Sequence, residues 1–121
     1  MLSIPEPLKA LGVGQELKVA LLKLAAGLRE GDGGRHLVTF KPDPAPYSSS
    51  FVHAEDWLDF NSMQTWNRVN LIHPFVTKDY NLQPVKPDLM AEGAYEAGSE
   101  YGFPVTALRV RRQAYYSYHA G

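Results

Sequence analysis

Pro87-Asp88-Leu89-Met90-Ala91-Glu92-Gly93-Ala94-Tyr95-Glu96 is a short apolar run that stops abruptly at a carboxylate and a glycine. The run is too brief for a helix, and Pro87 can open a strand because a first residue need not donate to a ladder. It therefore reads as a strand, Pro87 to Ala91, ending in Glu92-Gly93. Before it lies a helical stretch from about Arg68 to Tyr80, in which Pro74 is tolerated only within a first turn, so the start falls as late as Pro74. After it, Ala107, Val110, Ala114 and Tyr118 recur at about one or two turns, giving a closing helix from about Thr106 to His119. A strand between two helices is the repeating unit of parallel βα folds.

The same alternation extends toward the N-terminus. Leu17, Ala20, Leu21, Leu24, Ala25 and Leu28 fall at helical spacing, and Gly31-Asp32-Gly33-Gly34 supplies the left-handed stop, so Gln15 to about Arg29 reads as an amphipathic helix. His36-Leu37-Val38-Thr39-Phe40 is β-branched and aromatic and reads as a strand, closed off by Pro42, Pro44 and Pro46. Residues 41 to 56 form a polar connection with the triplet Ser48-Ser49-Ser50, either a linker or a site-building loop. Trp57 to Gln64 suits a strand, with a helical turn at 56 to 59 as the alternative. The order is helix, strand, helix, strand, helix, with one further strand inserted early. The fold class expected is α/β.

Composition narrows the function. Twelve Lys and Arg against 13 Asp and Glu leave a net charge of -1, which provides no field for nucleic acid or an anionic membrane. Without cysteine, disulfides, thiolate nucleophiles and zinc-thiolate sites are excluded. His36, His53, His73 and His119 lack metal-ligand spacing, so no metal and no cofactor is expected. Met1 to Pro7 reads as no signal peptide, and no run of 18 apolar residues reads as a membrane span. The residues leave the compartment and the oligomeric state open.

In a βα barrel, catalytic groups project from the C-terminal ends of strands. Three ends qualify: Phe40-Lys41-Pro42, Met63 to Asn67, and Ala91 to Glu96. Glu92 is the sharpest candidate, because a carboxylate held by rigid strand backbone can be aimed at a reacting atom. The competing reading is a solvated or salt-bridged glutamate. Glu96 fits a site, but equally a partner for Arg111 or a cap of the next helix. Tyr95 can bond to Glu92 or to a sugar, or simply pack. Gln64, Trp66 and Asn67 combine a ring face that stacks on a sugar with amides that bond to its hydroxyls, although Trp57 and Trp66 are as well suited to a core. The serine triplet has no neighbouring base and reads as loop composition.

Taken in order, Gly31 to Phe40, Ser48 to Ser50, Trp57 to Trp66, Pro84 to Pro87, Glu92 to Glu96 and Arg109 to Ser117 resemble the later half of the apiosidase-like catalytic domain of glycoside hydrolases. The resemblance implies a (β/α)8 TIM barrel acting on glycosidic bonds, in a family that releases the branched pentose apiose from plant pectic side chains. It places Glu92 as the catalytic carboxylate, and Gln64, Trp66, Asn67, Tyr95, Glu96 and Lys41 are the residues expected around the oligosaccharide or polysaccharide substrate. It also implies a secreted or periplasmic complete protein. The chain departs from the family at Lys41, where His is usual, and at Ala91, where Gly is common.

A complete barrel takes about 250 residues, so the 121 here are expected to be the later strands and helices of one, truncated at both ends and inactive alone. The usual partner carboxylate, an Asp after an earlier strand, is expected upstream of Met1. The competing functional readings are a noncatalytic carbohydrate-binding or structural barrel, and a self-sufficient small α/β domain.

Overall fold

A computed structural model describes residues 15–42 and 47–120. The architecture is mixed α/β: helix α1 (Gln15–Asp32), a single turn α2 (Ser49–Val52), strand β1 (Asn61–Trp66), a 3-10 turn (Val69–Leu71) running into α3 (Ile72–Tyr80), strand β2 (Asp88–Gly93) and α4 (Ala107–His119). The two strands are adjacent and parallel. They are joined by a crossover that contains α3, the connection a parallel pair requires. Among the described residues no helix is long and apolar enough to cross a membrane.

Two small cores hold these elements. Phe51, Val52 and Leu58 are buried together, with Leu21, Phe40 and Trp57 against them. Tyr47, Met63, Ile72 and Val76 form the second, joined by Val69, Phe75, Met90 and Ala120. Met63 and Ile72 are fully inaccessible, and burial of each such side chain contributes about 1.5–3 kcal/mol. Trp57 is thus a core residue, its ring packed inward. Pro74 lies in the first turn of α3, where its missing N–H costs no helical hydrogen bond.

The helical stripes are rotated from those read in the sequence. In α1, Lys18 and Ala25 are buried and Leu21 is half-buried, whereas Leu24 and Leu28 are exposed; Leu17 lies outside the residues whose side chains are described, as do Pro44, Pro46 and Met1 to Pro7 outside the described chain. Two ion pairs account for the turn of the helix. Lys18 meets Glu55 at 2.7 Å and Arg29 meets Asp59 at 2.6 Å, which fixes the face of the helix that carries them against residues 55–59. The helix runs on to Asp32 and stops at Gly33 and Gly34, both with left-handed φ of 66° and 69°. In α4 the single buried residue is Gln113, while Ala107, Ala114 and Tyr118 are exposed.

Residues 36–40 do not form the expected strand. They run extended beside the chain preceding β1, but one backbone bond, Asp59 N–H to Val38 O, joins them. The remaining ties come from side chains: Asp59 accepts from Val38 N–H, Thr39 donates to Phe60 O, and Ser62 donates to Phe40 O. Side chains here occupy the bonds a ladder would use. The strand read over Trp57 to Gln64 begins only at Asn61, and the connection before it is packed, with Ser48 bonded twice to Ser62 and Ser49 to Asp79.

At the N-terminal end of the sheet, His53 links two elements through a single tautomer. Nε2–H donates to Pro84 O, which leaves Nδ1 to accept from Asn61 Nδ2. Nearby, the Asp88 carboxyl is buried with neither oxygen bonded. Burial, then the adjacent Asp79 charge, pushes its pKa up to about 7, and burial raises that of Asp79 as well. The folded state thus holds a proton that the unfolded state releases near pH 3.9. This contribution is complete below about pH 4 and lost as pH rises toward about 7. Asp88→Asn is expected to gain stability over the parent as pH is raised from about 4 to 8, a gap visible in thermal melts as a function of pH; parallel curves would contradict it. Met63→Ala is expected to cost about 2–5 kcal/mol in chemical denaturation.

Candidate active site

The pairing of β1 with β2 is not regular. Asn61, Ser62 and Met63 align with Asp88, Leu89 and Met90, but Gln64 then aligns with Glu92, skipping Ala91, and Trp66 aligns with Gly93, skipping Thr65. Partners across a parallel pair share a face of the sheet. Met63 and Met90 pack toward α3, and Thr65 reaches the Met90 sulfur from the same side. In an unbroken register Glu92 would align with Thr65 and join them beneath the helix. The slip instead turns Glu92 to the face of Gln64, away from α3. Bulges serve elsewhere to re-aim a side chain in this way.

On that face Glu92 meets two partners from different parts of the chain. Lys41 Nζ pairs with one carboxylate oxygen, and the Tyr95 hydroxyl donates to the other. The Lys41 ammonium, followed by the Tyr95 hydroxyl, holds the Glu92 carboxyl below its ordinary range, opposed by partial burial, with a smaller lowering from the Trp66 side chain. The same bond, from the other side, pushes the Tyr95 phenol up to about 12, so it remains a donor at neutral pH. Glu92 is therefore an ionised acceptor. Lys41 directly follows Phe40, whose carbonyl accepts from the Ser62 hydroxyl.

Trp66 closes β1 with φ 49°, a left-handed conformation that costs a bulky residue about 1–3 kcal/mol. It ends the strand and leaves the indole 43% exposed, enough of the ring to receive a flat apolar ligand face. Gln64 is buried beside Glu92 in the register. Four of the residues singled out in the sequence thus converge with Glu92: Lys41, Gln64, Trp66 and Tyr95. Two do not. Asn67 is half-buried and its carbonyl accepts from Arg109, whose guanidinium also covers the Phe103 ring at 4.6 Å. Glu96 is exposed in the turn after β2, and the cap of α4 is Thr106, whose hydroxyl accepts from Arg109 N–H.

The cluster stands at one end of an open groove of about 950 Å³ that follows the free edge of β2 beneath α4, with Asp88 also on its wall. Leu89, on the face opposite α3, is 51% exposed. Among the described residues no group of three or more His, Asp and Glu gathers as a metal site. Two contributors went unread in the sequence. Tyr101 accepts from Tyr95 N–H at 3.3 Å, and Gln113 grips the chain just past Glu92. A lone amide within an otherwise mixed helical face was the only signal for the latter.

Lys41→Met is expected to raise the Glu92 pKa toward the ordinary glutamate value, read by carboxyl carbon NMR titration. An unmoved titration would contradict the ion pair.

Comparison with known families gives one result: a family model described as Apiosidase-like, catalytic domain, matches residues 11–121. No curated protein matches the chain.

Proposed function

Because the chain belongs to the family of apiosidase-like catalytic domains, whose function is that of a glycoside hydrolase with a carbohydrate substrate, we propose that Glu92 is one of the two carboxyl groups that cleave the glycosidic bond. The observation that carries this reading is the re-aimed, ionised Glu92 at the C-terminal end of β2, set among an indole, a phenol and an amide.

Glycoside hydrolysis uses one carboxyl that remains charged, as nucleophile or base, and another that protonates the leaving oxygen. The depressed pKa fits Glu92 to the first role. Trp66 offers a ring on which a sugar stacks, Gln64 bonds to its hydroxyls, and Tyr95 and Lys41 hold the carboxylate oriented. Among the described residues, the side chains that act directly on Glu92 are Lys41, Tyr95 and Trp66, none of them a carboxylic acid. The acid is proposed to come from another strand of the complete barrel, so that this chain alone is inactive.

A partial (β/α)8 barrel agrees with several features. The strands are parallel, α3 covers one face, Glu92 stands at a strand's C-terminal end, and β2 keeps a free edge with a groove along it and an exposed Leu89. Within the family, the substrate we favour is a pectic side chain carrying a branched pentose. A noncatalytic carbohydrate-binding barrel is the second reading, favoured by the Lys41 contact that neutralises Glu92.

In the complete protein, Glu92→Gln is expected to lower sugar release from pectic oligosaccharides by at least about 10²-fold while calorimetry still shows binding. Turnover at the parental rate would refute the assignment; binding without turnover in the parent itself would establish the second reading.

A further inference from the structure

Glu92 is the penultimate residue of β2, so its aim depends on the backbone that follows. That backbone has no neighbouring strand on its free side among the described residues. It is held by a side chain. Gln113, 19 positions away on α4, accepts from Ala94 N–H through Oε1 at 2.8 Å and donates from Nε2 to Ala94 O at 3.2 Å. A carboxamide offers one acceptor and a donor side by side, so it engages a single residue's N–H and C=O much as a ladder partner would.

The fit is close. A Cβ at Gly93 would stand 2.9 Å from Gln113 Oε1, 3.0 Å from Cδ and 3.1 Å from Nε2, so any side chain after Glu92 would make the amide shift from its place. Gln113 is 4% exposed and Ala94 5%. A helix that needed only to seat on the sheet would do better with Leu at this position, because burying an amide is costly unless its bonds are made in full. The arrangement spends that cost on fixing two peptide groups, Gly93–Ala94 and Ala94–Tyr95.

We propose that Gln113 is a positioning residue for the glycosidase reaction: by clamping Ala94 against Gly93 it fixes the Glu92 carboxylate and the Tyr95 hydroxyl against Lys41 and Trp66. The proposal rests on the catalytic reading of Glu92. Gln113 touches no reacting atom; it acts through the chain. Small displacements of a catalytic group lower rate far more than binding.

The test uses the complete protein with Gln113→Leu, which keeps volume and removes both bonds, and Gly93→Ala, which pushes the amide off Ala94 while leaving Gln113 in place. Each is expected to lower kcat by about 10- to 100-fold with KM within about twofold, and to move the Glu92 carboxyl titration upward, since Lys41 and Tyr95 no longer meet it. Gln113→Glu is expected to recover activity as pH falls, because a protonated carboxyl both donates and accepts as the amide does. Should Gln113→Leu fail to melt cooperatively, Gly93→Ala carries the same readouts. Parental kcat together with an unmoved Glu92 titration in either folded variant would overturn the proposal. Full turnover by Glu92→Gln would instead remove the catalytic reading, and the titration would still report whether Gln113 positions the carboxylate.

Discussion

One slip of register, between Met63 and Gln64 on β1 and across Ala91 on β2, governs the candidate site. Side chains alternate along a strand, so a displacement of a single residue exchanges faces. With the slip, Glu92 shares a side with Gln64 and meets Lys41 and Tyr95; without it, the carboxylate would lie beside Thr65 under α3, against Met63 and Ile72. A second skip at Thr65 returns Trp66 and Gly93 to the original offset. The irregularity is thus confined to the residues that need it, and the core below keeps ordinary pairing.

Much of the scaffold was legible in the sequence. The strands at 61–66 and 88–93 and the closing helix after Thr106 lie within a few residues of where patterning puts them, and Pro87 and Gly93 mark the ends of the second strand. What patterning misplaced were helix faces. Leu24 and Leu28 fit an apolar stripe as well as Leu21 does, but Lys18 and Arg29 pair with Glu55 and Asp59, and the face that carries those partners is the one turned to the chain. In α4 the amide of Gln113 displaces Ala114 from the buried face for the same reason. The partners of such groups are 19 to 37 positions distant, out of reach of any local pattern. The segment at 36–40 shows the converse: its composition is that of a strand, yet Asp59, Thr39 and Ser62 supply side-chain bonds in place of a ladder.

At the site, residue type and position at strand ends picked out Glu92, Lys41, Gln64, Trp66 and Tyr95, which converge. Asn67 and Glu96 stand apart from that cluster. After Trp66 adopts its left-handed φ, the Asn67 carbonyl accepts from Arg109 of α4. Opposite ends of the sheet also divide their chemistry. Glu92 is held ionised by a cation and a hydroxyl, while Asp88 at the other end of the same strand is held toward neutrality by burial beside Asp79. One strand therefore carries two carboxyls whose environments move their pKa values in opposite directions.

On the proposed reading, Glu92 faces a sugar site with Gln64 and Trp66. A crystal structure of the complete protein with a pectic sugar bound tests it most directly. The account predicts the sugar against the Trp66 ring and within hydrogen-bond reach of the Glu92 carboxylate, on the face opposite α3. A Glu92 side chain found beneath α3 beside Thr65, or a sugar seated away from both residues, would contradict it.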